Sequence, residues 1–173
     1  MTAPCKYVIM GVCGCGKSTI GMALAERIGA TYIDGDDLHP AANIGKMSRG
    51  EPLNDDDRLP WLQDVGRALR DAPGDCIVGC SALKRSYRDT IRAAAGQPVL
   101  FLHLAGDRTV LVDRMAHRTA HFMPTTLLDS QLETLDPPQQ NEMHLTANIA
   151  RPPGEIVETL ALGIAGLASA ARS

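Results

Sequence analysis

Apolar residues in this chain form short dense runs, separated by segments in which they recur every three or four positions. Tyr7-Val8-Ile9-Met10 is the first run; Ala30 to Ile33, Cys76 to Cys80, Val99 to Leu104 and a weaker Leu145 to Ile149 follow. Runs of this length suit strands covered on both faces of a sheet. Between them, Ile20, Leu24 and Ile28 share one helix face that Gly29 closes. Further helical patterns cover Trp61 to Arg70, Ser86 to Ala95, Arg108 to Ala116, Thr126 to Leu135 and Glu155 to Ala168. Strands alternating with helices predict right-handed crossovers and an α/β fold, with a parallel five-stranded sheet between two helical layers. Ligands of such sheets sit outside the carboxyl ends of the strands.

The most specific motif lies at the end of the first run. Gly11-Val12-Cys13-Gly14-Cys15-Gly16-Lys17-Ser18-Thr19 fits the phosphate-loop pattern of Gly, four residues, then Gly-Lys-Ser, with a strand before it and a helix behind. Glycines let the backbone N–H groups turn inward around a polyphosphate, the helix N-terminus adds positive partial charge, and Lys17 adds a full one. Ser18 is placed to ligate the magnesium ion that accompanies ATP or GTP. The chain is expected to bind a nucleoside triphosphate. Cys13 and Cys15 are unusual in such a loop. Near Lys17 and a helix N-terminus a thiol ionises more readily, which would make the loop sensitive to oxidant; otherwise two small side chains fill space.

Two polar segments interrupt the pattern. Residues 36–57 carry turn and charged residues around one helical piece, Ala41 to Met47, ended by Gly50; residues 117–124 hold Arg118, His121 and Phe122. Both are candidate flaps that close over substrates, since open water would otherwise accept the phosphoryl group.

Bulk properties narrow the partners. A length of 173 residues suits one domain, and the hydrophobic share of 45% suits a soluble globular one. A net charge of −3 offers no general attraction to nucleic acid or anionic membrane. One Trp, three Tyr and two Phe leave little for a base-stacking platform. The uncharged stretch Thr159 to Ala171 is expected to be too short to span a bilayer. The five cysteines lack zinc-site spacing and read as reduced thiols of a cytosolic protein, Cys76 and Cys80 as core.

Candidate chemistry clusters after the strands. Asp34-Gly35-Asp36 follows the second: Asp34 can hold the magnesium through its water shell, and Asp36 can accept or orient the proton of an attacking hydroxyl. A turn with a helix cap is the plainer account of the same residues. Leu53-Asn54-Asp55-Asp56-Asp57-Arg58 opens a helix, so its acidic triple reads as capping, whereas Arg58 can offer a fork of donors to a carboxylate. After the third strand, Ser81, Lys84 and Arg85 sit where an acidic polyol can be held, and Lys84, Arg88 and Arg92 share a helix face. Arg114 and Arg118, four apart at a helix end, are candidate internal arginine fingers. Phe122 and Met123 can plug the closed site against water.

Taken together, these residues resemble the gluconokinases of the thermoresistant type over nearly the whole chain. The resemblance rests on the phosphate loop, Asp34-Gly35-Asp36-x-Leu38-His39-Pro40 with Asn43 and Lys46-Met47, and Gly50-Glu51-Pro52-Leu53-Asn54-Asp55-Asp56-Asp57-Arg58 with Pro60-Trp61-Leu62. Cys80-Ser81-Ala82-Leu83-Lys84-Arg85-x-Tyr87-Arg88-Asp89, His121-Phe122-Met123 and Ser130-Gln131-Leu132-Glu133-Thr134-Leu135 complete it. It implies a single P-loop kinase domain over residues 1–173, three-layered like adenylate and shikimate kinases, with a substrate-binding helical insertion at about 36–70 and a short lid at about 114–124. It implies ATP-dependent phosphorylation of D-gluconate to 6-phosphogluconate with magnesium, for sugar-acid catabolism by pentose phosphate or Entner-Doudoroff routes. A cytoplasmic homodimer without nucleic-acid or membrane partners is also implied. On this resemblance Lys17, Asp36, Arg114 and Arg118 are catalytic candidates and Ser18 and Asp34 metal ligands. Asp36, His39, Arg58, Ser81, Lys84, Arg85, Arg88 and His121 are the substrate-binding set. Departures are the two loop cysteines, Ala120 in place of a glycine before His121, and the absence of acidic residues in Asn148-Ile149-Ala150.

Two rivals read poorly. Shikimate kinase needs a glycine-rich turn after the third strand, where Ser81-Ala82-Leu83-Lys84 stands; a regulatory GTP switch needs Asn-Lys-x-Asp, and the chain has no Asn-Lys pair.

Overall fold

Side chains of the first strand divide between two cores. In β1 (Lys6–Met10), Tyr7 and Ile9 belong to one apolar cluster, Val8 and Met10 to another. β3 (Cys76–Gly79) and β4 (Leu100–Ala105) split likewise: Ile77, Leu100, Leu102 and Leu104 lie on the first side, Cys76, Val78 and Phe101 on the second. Alternation along a strand with apolar residues on both faces requires helices above and below. Each Leu, Ile or Phe buried there contributes roughly 1.5–3 kcal/mol over leaving it exposed.

β2 (Thr31–Asp34) and β5 (His144–Asn148) complete a sheet of order β2-β3-β1-β4-β5 in which every pairing is parallel. The computed structural model describes Ala3 and residues 5–117 and 125–173. Arg118, Ala120, His121, Phe122 and Met123, assigned above to the lid, lie outside the described residues. α1 (Lys17–Ile28) and α7 (Pro153–Ala171) cover the first face, with Leu111 of α5 (Arg108–Ala116) and Leu128 of α6 (Thr125–Thr134) in the same core. α3 (Asp55–Asp71) and α4 (Arg85–Ala95) cover the second, burying Trp61, Leu62, Val65 and Leu69 against Tyr87 and Ile91. The short α2 (Ala41–Ser48) lies in the insertion between β2 and α3. This is the three-layer P-loop kinase architecture expected from the sequence.

Some boundaries move, for identifiable reasons. The apolar pattern of α3 begins at Trp61, but the helix starts at Asp55 because Asn54 and Asp57 form a reciprocal capping box, side chain to backbone at 2.8 and 3.0 Å. β2 runs one residue later than expected and ends on Asp34, placing that carboxylate at the sheet's carboxyl edge. α7 has 19 residues and is, by length and composition, long and apolar enough to cross a membrane, more than the uncharged stretch alone suggested. Its Ile156, Val157, Leu160 and Ala161 are buried, and it packs on α1 and β5, leaving Leu162 and Leu167 exposed. The loops after β1, β2 and β3 meet at one edge, stitched by Cys80 N–H to the Ile9 carbonyl (3.0 Å) and Gly11 N–H to the Ser81 carbonyl (3.3 Å).

Candidate active site

The phosphate loop bends because two glycines adopt backbone angles that side chains resist. Gly14 has φ 81° and Gly16 has φ 92°, both left-handed, and Gly16 is the N-cap of α1. Lys17 Nζ donates to the carbonyls of Gly11 (2.8 Å) and Val12 (3.2 Å), which holds the ammonium against the loop. Cys15 is fully buried, its Sγ 3.8 Å from that ammonium, and Cys13 is nearly so. Cys15 is closed to solvent, which suits space-filling for that thiol, whereas Cys13 lines the cavity described next.

Lys17, Ser18, Asp34, Asp36 and Ser81 come together around a cavity of about 230 Å³ at the sheet's carboxyl edge. Asp34 Oδ1 accepts the Asp36 N–H at 2.9 Å, so one carboxylate closes the turn that presents the other. The turn is pinned from below: Trp61 Nε1 donates to the Gly35 carbonyl at 2.8 Å, and the His39 ring stacks on the indole at 4.1 Å and 15°. Burial, with the charge of Asp34 beside it, raises the Asp36 carboxyl above the ordinary carboxylate range, against the opposing pull of His39 and Lys17. Burial lowers His39, assisted by Arg58 and opposed by Asp36, so its ring is neutral at neutral pH. Tyr32 lines the same cavity as Ser18. It gets there by crossing β3 at Gly79, where an added Cβ would lie 2.3 Å from the Tyr32 hydroxyl.

A cationic cluster stands beside the cavity. The Asp55 carboxylate accepts from the Tyr87 hydroxyl (2.5 Å), Lys84 Nζ (3.2 Å) and Arg58 Nη1 (3.4 Å). These bonds, Tyr87 first and then Lys84, hold Asp55 below the ordinary carboxylate range. Of the acidic triple, then, Asp57 serves the cap, while Asp55 sits in the predicted carboxylate site. His39 links this cluster to Asp36, feeling the charge of both Asp36 and Arg58.

Two predicted substrate residues point elsewhere. Arg85 donates to Asn141 Oδ1 at 2.7 Å. Arg88 is wholly buried, paired with Glu142 at 2.7 and 3.0 Å, and donates to the carbonyls of Ala82 (2.9 Å) and Leu83 (3.3 Å). Ala82 holds φ 45°, a left-handed conformation that costs a non-glycine residue energy, so Arg88 clamps the loop carrying Ser81 and Lys84 rather than reaching the cavity.

On the far side of the phosphate loop lies a second cavity of about 410 Å³, lined by Gly14, Gly16 and Thr19 with Arg114, His117 and Pro153. Arg114 hydrogen-bonds the Ile149 carbonyl there and approaches the Arg151 carbonyl at 3.5 Å. Arg118 and His121 lie outside the described residues.

A family model described as an AAA domain matches residues 7–138. The thermosensitive gluconokinase of Escherichia coli K12 is 48% identical over 144 residues, covering 81% of this chain and 76% of that protein. The thermoresistant gluconokinase of the same organism is 46% identical over 140 residues, covering 79% of each. The chain belongs to the gluconokinase family. A crystal structure of a gluconokinase from Sinorhizobium meliloti 1021 superposes with TM-score 0.89 at 48% identity, covering 98% of this chain and 96% of that one. The family's P-loop kinase scaffold therefore extends across the carboxylates, the cationic cluster and α6.

Sequence reasoning missed the second cavity, the place of Tyr32 in the first, the Trp61 support, and Glu142. Gln131 lies within the Ser130–Leu135 motif, which by itself assigns it no role. Its signal was present: it is a polar residue on the same helix face as Leu128, Leu132 and Leu135.

Proposed function

We propose that the protein transfers the γ-phosphoryl group of ATP to the 6-hydroxyl of D-gluconate, giving 6-phospho-D-gluconate. One observation carries this reading: Asp36 shares a cavity with Lys17 and Ser18, beside a cation cluster that already holds a carboxylate, in a chain of the gluconokinase family.

The nucleoside occupies the cavity beside Arg114 and Pro153, and the phosphates cross the loop over Gly14 and Gly16 toward Asp36. Lys17 and the α1 N-terminus meet the outer phosphates. Arg114, on that nucleoside side, serves the phosphate chain as a cation. The Ser18 hydroxyl and Asp34 carboxylate are hard oxygen donors in the same cavity, and so fit magnesium, which keeps most of its ligands as water and phosphate oxygens. Held by these two residues, magnesium would supply positive charge to offset that of the phosphates.

Asp36 accepts the hydrogen bond of the 6-hydroxyl and aligns it with the γ-phosphorus; its raised pKa suits it to take the proton as the bond forms. Because the transition state is loose, alignment and charge stabilisation outweigh proton removal. Arg58, Lys84 and Tyr87 take the gluconate carboxylate in the place now held by Asp55, and Ser81 and His39 bind its hydroxyls. We further place the protein in the cytoplasm as a homodimer, with exposed Leu162 and Leu167 of α7 as apolar surface available to a second copy. Light scattering reads the dimer directly.

The reaction is tested by phosphorus NMR of the product formed from ATP and gluconate. A monoester phosphorus coupled to the two C6 protons is expected; coupling to any other carbon's protons refutes the assigned position.

A further inference from the structure

Gln131 is the residue that α6 contributes to the lining of the cavity containing Asp36 and Lys17. Its neighbours on that helix face, Leu128 and Leu132, pack in the core, so the carboxamide stands at the edge of an apolar layer where it needs polar partners. Oε1 accepts the backbone N–H of Cys13 at 2.6 Å. A backbone N–H only donates, so the atom facing it is the oxygen, and the NH2 end keeps both its donors. Among the described residues, no hydrogen bond uses them.

Position identifies what they meet. Gly14 and Gly16 line both cavities, whereas Cys13 and Gln131 line only the one with Asp36 and Ser81. A phosphate chain entering from the nucleoside side crosses the two glycines first, and its outermost group arrives between Gln131 and Asp36. We infer that Gln131 is a further catalytic residue of the phosphoryl-transfer site: its carbonyl secures the Cys13 end of the loop, and its NH2 donates to a non-bridging oxygen of the terminal phosphoryl group. This rests on the ATP-dependent transfer proposed above and adds to it a donor from outside the phosphate loop. Charge on the terminal oxygens is what such a donor stabilises, and being neutral it leaves the Asp36 carboxylate free of a competing ion pair.

Gln131→Glu and Gln131→Ala separate the two roles. Glutamate keeps an oxygen for Cys13 but has no donor and carries negative charge; alanine loses both. Calorimetry with ADP and with β,γ-imido-ATP, both with magnesium, reads the terminal phosphate alone. We expect ADP affinity within about two-fold of wild type for both variants, imido-ATP weakened at least about ten-fold in the glutamate variant, and turnover lowered on the order of 10²-fold in each. Thermal melts check that both fold. Gln131→Glu with wild-type turnover and imido-ATP affinity overturns the inference, as does equal weakening of ADP and imido-ATP, which marks a loop-packing role only. The nucleotide affinities need no gluconate, so an incorrect acceptor assignment shows separately, as wild-type protein that binds both nucleotides but turns over no gluconate.

Discussion

The indole of Trp61 donates to the Gly35 carbonyl at 2.8 Å, which ties the hydrophobic core of α3 to the turn that presents Asp36. The helix therefore does more than cover the sheet. It braces the turn whose carboxylate we assign to the acceptor hydroxyl.

Removing that single bond tests the coupling. Trp61→Phe keeps most of the ring's volume and loses the donor, at a cost of about 1 kcal/mol, which for a chain of this size lowers Tm by roughly 2–4 °C. Turnover should fall further than that small loss of stability explains, because the turn is released. A variant with lowered Tm and unchanged kcat would show that the turn holds itself.

Asp36→Asn is expected to lower kcat by about 10²–10⁴ while leaving the melting curve close to wild type. The raised pKa of Asp36 sets the sign of the pH profile. Its base form is lost on acidification sooner than that of an ordinary aspartate, whose pKa is about 3.9. The acid limb of kcat/KM should therefore lie above that value, and Asp36→Asn should abolish it. A variant with near-normal turnover removes Asp36 from its assigned role.

Arg58→Met and Lys84→Met each remove one cationic donor from the cluster around Asp55. Each should raise KM for gluconate on the order of ten-fold or more and leave KM for ATP near wild type. Steady-state kinetics with each substrate varied separately reads the split. An equal rise in both constants would mean the cluster holds the fold and not the substrate.

The buried Arg88–Glu142 pair, exposed 0% and 1%, predicts a large asymmetric response. Arg88→Met leaves Glu142 with only Arg92 (2.5 Å) and the Gln139 N–H (2.8 Å) as partners and should destabilise the fold, whereas adding Glu142→Met should recover part of the loss. Denaturant unfolding of the three proteins measures this. Even the stabilised double variant should turn over slowly, because the Ala82 carbonyl then loses the Arg88 donor that holds it.

Much of this was readable before the structure. Dense apolar runs and four-residue recurrences located the strands and helices because those signals are local, and the phosphate loop was legible because its glycines and lysine are contiguous. Asp34 and Asp36 were legible from their place after the second strand. Arg88 was not: its four-residue spacing from Lys84 suggested a shared functional face, but its partner Glu142 lies 54 residues away and draws it into the interior. Asp55 reads as a cap in sequence because α3 starts there, and only the packing of α4 against α3 brings Lys84 and Tyr87 to it. The second cavity combines the ends of α5 and α7 with the loop, three segments that no local pattern joins.

The central claim is ATP-dependent phosphoryl transfer to a sugar acid, and a coupled assay of ADP release tests it most directly. Purified protein is given ATP, magnesium and, in turn, gluconate, shikimate, AMP and a neutral sugar. Rapid ADP release with gluconate, far above that with the other three, is the predicted result. Release that gluconate does not accelerate, or that shikimate or AMP accelerates more, would contradict the account.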